Sequence, residues 1–68
     1  MNNVDKFRLF MVKSRIKNNL SKSQLARLIG KSPSFICDIE CGRKNPSFNT
    51  SISIAKVLDI SIDKIFYL

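Results

Sequence analysis

Residues 20–46, LSKSQLARLIGKSPSFICDIECGRKNP, decide the fold. Ser21 followed three residues later by Gln24 is a capping box, and it opens a helix carrying Leu25, Leu28 and Ile29 on one side. Gly30 ends that helix, since glycine enters the left-handed region without a Cβ clash. Ser32 caps a second helix, and Pro33 suits its first position, where a missing N–H costs nothing. This second helix runs to Gly42. Ile36 and Ile39, three apart, form its buried side, while Ala26 leaves room for the two helices to cross closely. The expected result is a rigid V of two helices, a shape that sets the second helix into a major groove.

Working outward, residues 5–17 read as a first helix with Phe7, Phe10, Met11 and Ser14 at helical spacing, ended by Asn18 and Asn19. Beyond Gly42, the polar turn Arg43-Lys44-Asn45-Pro46 leads to Ser47, the cap of a fourth helix. Its expected buried face is Phe48, Ile52, Ala55 and Leu58, and Asp59 marks its end. Ser61 caps a short fifth helix, with Asp63 in the first turn and Ile62, Ile65 and Phe66 turned inward. No strand or repeat pattern interrupts the series. The sequence therefore predicts an all-α chain of five helices, a single compact domain over residues 1–68.

A chain of 68 residues lies near the lower end of what folds without staples, so its core must be tight. Twelve Lys and Arg against five Asp and Glu give a net charge of +7. Lys6 to Cys37 contains eight basic residues and no acidic one. Such a field captures polyanions, although a membrane surface or an acidic protein would respond to it as well. No apolar run approaches the ~18 residues of a membrane span, and no signal-peptide pattern opens the chain. A cytoplasmic protein with no membrane partner is expected. There is no histidine, no cleft-like pair of carboxylates and no nucleotide-binding glycine loop, which argues against an enzyme and against a cofactor. Cys37 and Cys41 are too few for a four-ligand zinc site within one chain, so no metal is expected and reduced thiols are the default.

The placement of the caps, Ala26, Gly30, Ile36 and Ile39 resembles the helix-turn-helix of the lambda-repressor-like family (Cro/CI type, also called XRE). The resemblance spans nearly the whole chain. SPSFICDIE resembles the recognition helix of a common subgroup, and NPSFNTSISIAKVLDISIDKIF resembles the family's closing helices. It implies a transcriptional regulator, such as a repressor, that binds double-stranded DNA at a near-palindromic operator as a homodimer, with helix 3 in the major groove. It also implies a structural ion pair between Arg15 on the first helix and Glu40 on the third. Three features depart from the family pattern. Lys22 stands where a Gln normally supports the recognition helix and touches phosphate, and Ser14 stands where a Leu normally enters the core. Leu9, Val12 and Ile16 form an apolar stripe on a face that is normally charged. Either helix 1 is rotated to bury part of this stripe, the reading favoured here, or the stripe meets another chain.

With Ile36 and Ile39 buried, helix 3 turns Pro33, Ser34, Phe35, Cys37, Asp38 and Cys41 outward. Pro33, Ser34, Phe35, Cys37 and Asp38 are the candidate base contacts. Ser34 can hydrogen-bond several bases, Asp38 can accept from a cytosine amino group, and Pro33 and Phe35 offer apolar contact to a thymine methyl. Asp38 has a second reading, as a charge that pairs with a neighbouring lysine. Lys22, Ser23, Arg43, Lys44 and Asn45 are candidate phosphate contacts, with Lys31 and Ser47 as weaker ones. The resemblance implies dimerisation, and the apolar character of the chain's end points to an interface at the fifth helix and that end, through Ile62, Phe66, Tyr67 and Leu68, with Phe66 closing the core as well. The alternative function is an antitoxin that neutralises a partner toxin protein and regulates its own promoter. Such proteins often add a separate toxin-binding segment, and no disordered tail is expected here.

Overall fold

The computed structural model describes residues 2–61, which form four helices: α1 (Asn3–Lys17), α2 (Lys22–Leu28), α3 (Pro33–Cys41) and α4 (Phe48–Leu58). The fold is all-α. Each helix begins on a side-chain cap. Asn2, Ser21, Ser32 and Ser47 accept from the backbone N–H three residues on, at 2.8, 3.0, 3.2 and 3.2 Å. Gln24 returns the bond to the Ser21 N–H at 2.7 Å, which completes the capping box. Removing one such cap costs about 0.5–2 kcal/mol.

The helix ends share one device. Asn19, Gly30, Gly42 and Asp59 have φ of 58°, 71°, 85° and 55°, all left-handed. The residue after each sends its N–H back to a carbonyl of the last turn: Leu20 to Arg15, Lys31 to Ala26, Arg43 to Asp38 and Ile60 to Ala55, at 3.1, 2.8, 2.8 and 2.9 Å. This Schellman closure satisfies carbonyls that would otherwise lack partners, and it turns the chain sharply toward the next helix. Leu20 and Ile60 also pack against the core, which adds an apolar contact to their turns.

Phe7, Met11, Leu25, Ala26, Ile36, Ile39, Ile54, Ala55 and Leu58 make one buried cluster. α2 packs chiefly on α3, and α1 packs on both α3 and α4. Ala26, 1% exposed, lies in this core. Burying each large aliphatic side chain stabilises the fold by about 1.5–3 kcal/mol relative to leaving it in water.

Several expectations need correction. α1 begins at Asn3, before the expected Asp5, because Asn2 supplies a cap. Phe48 is 78% exposed and does not join the α4 core face. It is the first residue of the helix, so its side chain projects beyond the first turn, and Ile54 fills the space beside Ala55 and Leu58. Ile52 is only half-buried. Leu28, at 58% exposed, lies off the buried side formed by Leu25 and Ala26. In the apolar stripe of α1, Leu9 and Ile16 are 41% and 60% exposed while Val12 is half-buried, since Phe7 and Met11 set the inward face. The expected fifth helix, with Ile62, Asp63, Ile65 and Phe66, lies outside the described residues.

Candidate nucleic-acid interface

α3 is held from its inner side. Ile36 and Ile39 are fully buried, and Glu40 accepts two bonds from Arg15 of α1, Nε to Oε2 at 2.7 Å and Nη2 to Oε1 at 3.0 Å. The third nitrogen of Arg15 donates to the Leu20 carbonyl at 2.9 Å, so one side chain joins α1, the turn before α2, and α3. At the other end of α1, Arg8 donates from Nε to the Ile39 carbonyl at 2.6 Å and from Nη2 to Asn45 Oδ1 at 3.1 Å. Asp5, one turn earlier, holds Nη1 of Arg8 at 2.8 Å. Two arginines of α1 thus fix the roll of α3 and the position of the turn that follows it.

The outer side of α3 is more open than its inner side. Pro33, Ser34 and Cys41 are exposed, and Phe35, Cys37 and Asp38 are half-buried. The Ser34 hydroxyl lies 3.2 Å from that of Ser32. The Phe35 ring packs on the core, with Lys31 Nζ 5.3 Å and Lys44 Nζ 5.7 Å from its centroid. Both ammonium groups are thereby drawn to one edge of α3 by the negative face of the ring.

Asp38 is the centre of a charged cluster. Its Oδ1 accepts from Arg43 Nε at 2.7 Å, and its Oδ2 lies 3.8 Å from Lys44 Nζ. Its carbonyl accepts the N–H groups of Arg43 and Lys44 at 2.8 and 3.1 Å. The left-handed turn at Gly42 makes this possible by folding Arg43 back over α3. The Asp38 carboxylate, and after it the Cys37 sulfur, holds the Arg43 guanidinium still more firmly protonated than usual. Cys37 Sγ lies 3.7 Å from Cys41 Sγ, 3.4 Å from Arg43 Nη2 and 4.0 Å from Lys22 Nζ. The hydrogen bond from Cys41, then the one from Arg43 and the charge of Lys22, bring the Cys37 thiol below the ordinary thiol range.

Of the residues singled out in the sequence, the structure draws Lys22, Cys37, Asp38, Arg43 and Lys44 into one cluster, and Lys31, Phe35 and Lys44 into a second that shares Lys44. Asn45 bonds instead to Arg8, which ties it to α1 and to the Ile39 carbonyl. Ser23 is exposed beside Lys22. The Ser47 hydroxyl accepts from Thr50 N and donates to Thr50 Oγ1 at 3.0 Å, a capping duty. Ile62, Phe66, Tyr67 and Leu68 lie outside the described residues. Arg8 was not among the expected site residues. Its signal was faint: an Asp5 three residues earlier that could steer it, with no local hint that the Ile39 carbonyl would face it.

A family model described as helix-turn-helix matches residues 13–65 of the chain. No curated protein and no solved structure matches it.

Proposed function

Because the chain belongs to the helix-turn-helix family of XRE (Cro/CI-like) DNA-binding regulators, we propose that α2 and α3 are its helix-turn-helix and that α3 reads a major groove. The observation that carries this reading is the asymmetry of α3. Its inner side is locked by Ile36, Ile39 and Glu40, while its outer side is rimmed by Lys22, Lys31, Arg43 and Lys44. A helix with a fixed roll and a cationic rim suits a groove lined by phosphates.

The base contacts in this reading are Pro33, Ser34, Phe35, Cys37 and Asp38. Ser34 discriminates weakly, because a hydroxyl both donates and accepts. Asp38 keeps Oδ1 on Arg43 and offers Oδ2, where Lys44 stands at 3.8 Å, to a cytosine amino group. Phe35 and Pro33 present apolar surface to a thymine methyl. Lys22, Ser23, Lys31, Arg43, Lys44 and Asn45 grip phosphates, with Ser47 the least free of the set. These contacts set register and orientation without telling sequences apart.

A module this small buries too little DNA for tight specific binding, so the reading includes a homodimer on a near-palindromic operator. Its interface is assigned to Ile62, Phe66, Tyr67 and Leu68, from their apolar character alone. Selection from a random duplex library tests the proposal. The expected product is an inverted repeat whose half-sites are centred about 10–10.5 bp apart, or a multiple of that. Recovery of unenriched sequence after repeated rounds would contradict it.

A further inference from the structure

We propose that Cys37 and Cys41 form a dithiol site for a neutral trivalent arsenical, and that its occupation excludes DNA from α3. The second clause rests on the reading of α3 as the DNA-reading helix; the first does not. Both cysteines are free thiols, set one turn apart on the outer side of α3 with their sulfurs 3.7 Å apart. Two bonds of about 2.3 Å from sulfur to a thiophilic atom at a near-tetrahedral angle span about 3.8 Å. The pair is therefore preset for a pyramidal or tetrahedral centre. A linear two-coordinate ion would need about 4.6 Å on the same bond lengths. A disulfide, at about 2.05 Å, would require the helix to distort.

Charge and ligand number then select among thiophiles. Arg43 Nη2 and Lys22 Nζ, at 3.4 and 4.0 Å, favour the Cys37 thiolate, the form that attacks. The same two cations repel an incoming divalent metal ion. Tetrahedral zinc also wants four protein ligands or their equivalent, whereas no group of three or more Cys, His, Asp or Glu is placed to hold a metal among the described residues. The Asp38 carboxylate is engaged by Arg43. A trivalent arsenical arrives uncharged, keeps its own third substituent, and needs two thiols only. With phenylarsine oxide, two As–S bonds form while the arsenic–oxygen bond breaks. The oxygen leaves as water, carrying both thiol protons, and arsenic stays trivalent throughout. The bound group would then stand where a base edge must approach Cys37 and Asp38.

Titration of the full chain with phenylarsine oxide, followed by loss of titratable thiol and by intact mass, tests the site directly. One adduct per chain with loss of two thiols is expected, reversed by a small dithiol and resisting a monothiol. Cys37→Ser and Cys41→Ser should each weaken binding about 100-fold or more, because the second bond of a chelate forms within the molecule. A single-serine variant with undiminished affinity, or Zn²⁺ protecting both thiols at lower concentration than the arsenical, would overturn the assignment. In a parallel DNA titration, at a reagent concentration that fills the wild-type site, the wild-type protein should lose its operator while the Cys41→Ser protein binds it as tightly with the reagent as without. Loaded protein that binds DNA as well as free protein overturns the second clause. If the free protein binds no DNA sequence, the reading of α3 fails with that clause, and the thiol titration judges the first clause by itself.

Discussion

Arg15 on α1 and Glu40 on α3 meet in a two-point ion pair, 2.7 and 3.0 Å long, with the side chains only 12% and 6% exposed. The fork of the guanidinium and the carboxylate match in plane as well as in charge, so the contact fixes an angle between helices and not just a distance. Because both charges had to leave water, the pair adds little net stability compared with apolar residues of similar volume. Its consequence is geometric: α3 cannot roll without breaking it.

Removing one partner leaves the other charge buried. Glu40→Ala should lower stability by about 3–5 kcal/mol, a large share of what so small a domain possesses. Urea denaturation followed by circular dichroism measures this. Arg15→Met combined with Glu40→Leu should recover much of the loss, and a double variant no better than Glu40→Ala would contradict the account.

The capping and turn chemistry of this fold was legible from residue types, because Ser21, Gln24, Ser32, Ser47, Gly30 and Gly42 act within three residues of themselves. Periodicity was less reliable at a helix's first residue. Phe48 has the spacing of a core residue, yet at the first position nothing packs over it, and the buried face shifts to Ile54, Ala55 and Leu58. Contacts across the fold were the least legible. The Arg8 bond to the Ile39 carbonyl joins residues 31 apart, and it depends on a backbone group that every residue type carries alike. The Asp38–Arg43 pair lies five residues apart, a spacing that an uninterrupted helix would not bring together; the left-handed Gly42 closes it.

Arg8 touches both the end of α3 and Asn45, and this predicts a positioning effect on DNA binding. Arg8→Lys keeps the charge but cannot make the three bonds of the fork, so affinity for the selected operator should fall by about 10-fold, equivalent to about 1.4 kcal/mol. The slope of log affinity against log salt should stay the same, because Arg8 itself neutralises no phosphate. Lys44→Ala, by contrast, should reduce that slope by about 0.9 per subunit. A reduced slope in Arg8→Lys would make Arg8 a phosphate contact in its own right.

Cys37 should titrate early. Its thiol lies below the ordinary range through Cys41, then Arg43 and Lys22, so the thiolate persists to lower pH than in an unfolded chain. Cys41→Ala removes the largest of these causes, the hydrogen bond to the Cys37 sulfur, so the rate–pH midpoint for alkylation of that protein should lie above that measured for Cys37 in the wild-type chain. Arg43→Gln should raise the wild-type midpoint as well. Peptide mapping of iodoacetamide adducts across a pH series would read both, and identical midpoints in all three proteins would contradict the cluster.

Deleting Tyr67 and Leu68 should weaken dimerisation and operator binding together while leaving helicity nearly intact. Sedimentation equilibrium and circular dichroism on the shortened chain measure the two effects separately. An undiminished dimer would move the interface elsewhere, with the exposed Leu9 and Ile16 on α1 as the next place to substitute.

Reading of base sequence by α3 is measured by the ratio of two affinities. Binding of the full chain to its selected operator and to a shuffled duplex of the same composition and length should be measured at one physiological salt concentration. If α3 reads base sequence, the operator binds tighter by about 1,000-fold or more, and Asp38→Asn alters the base preferred at one symmetric pair of positions. Equal affinity for the two duplexes would contradict it, leaving a basic domain that holds DNA through phosphates alone.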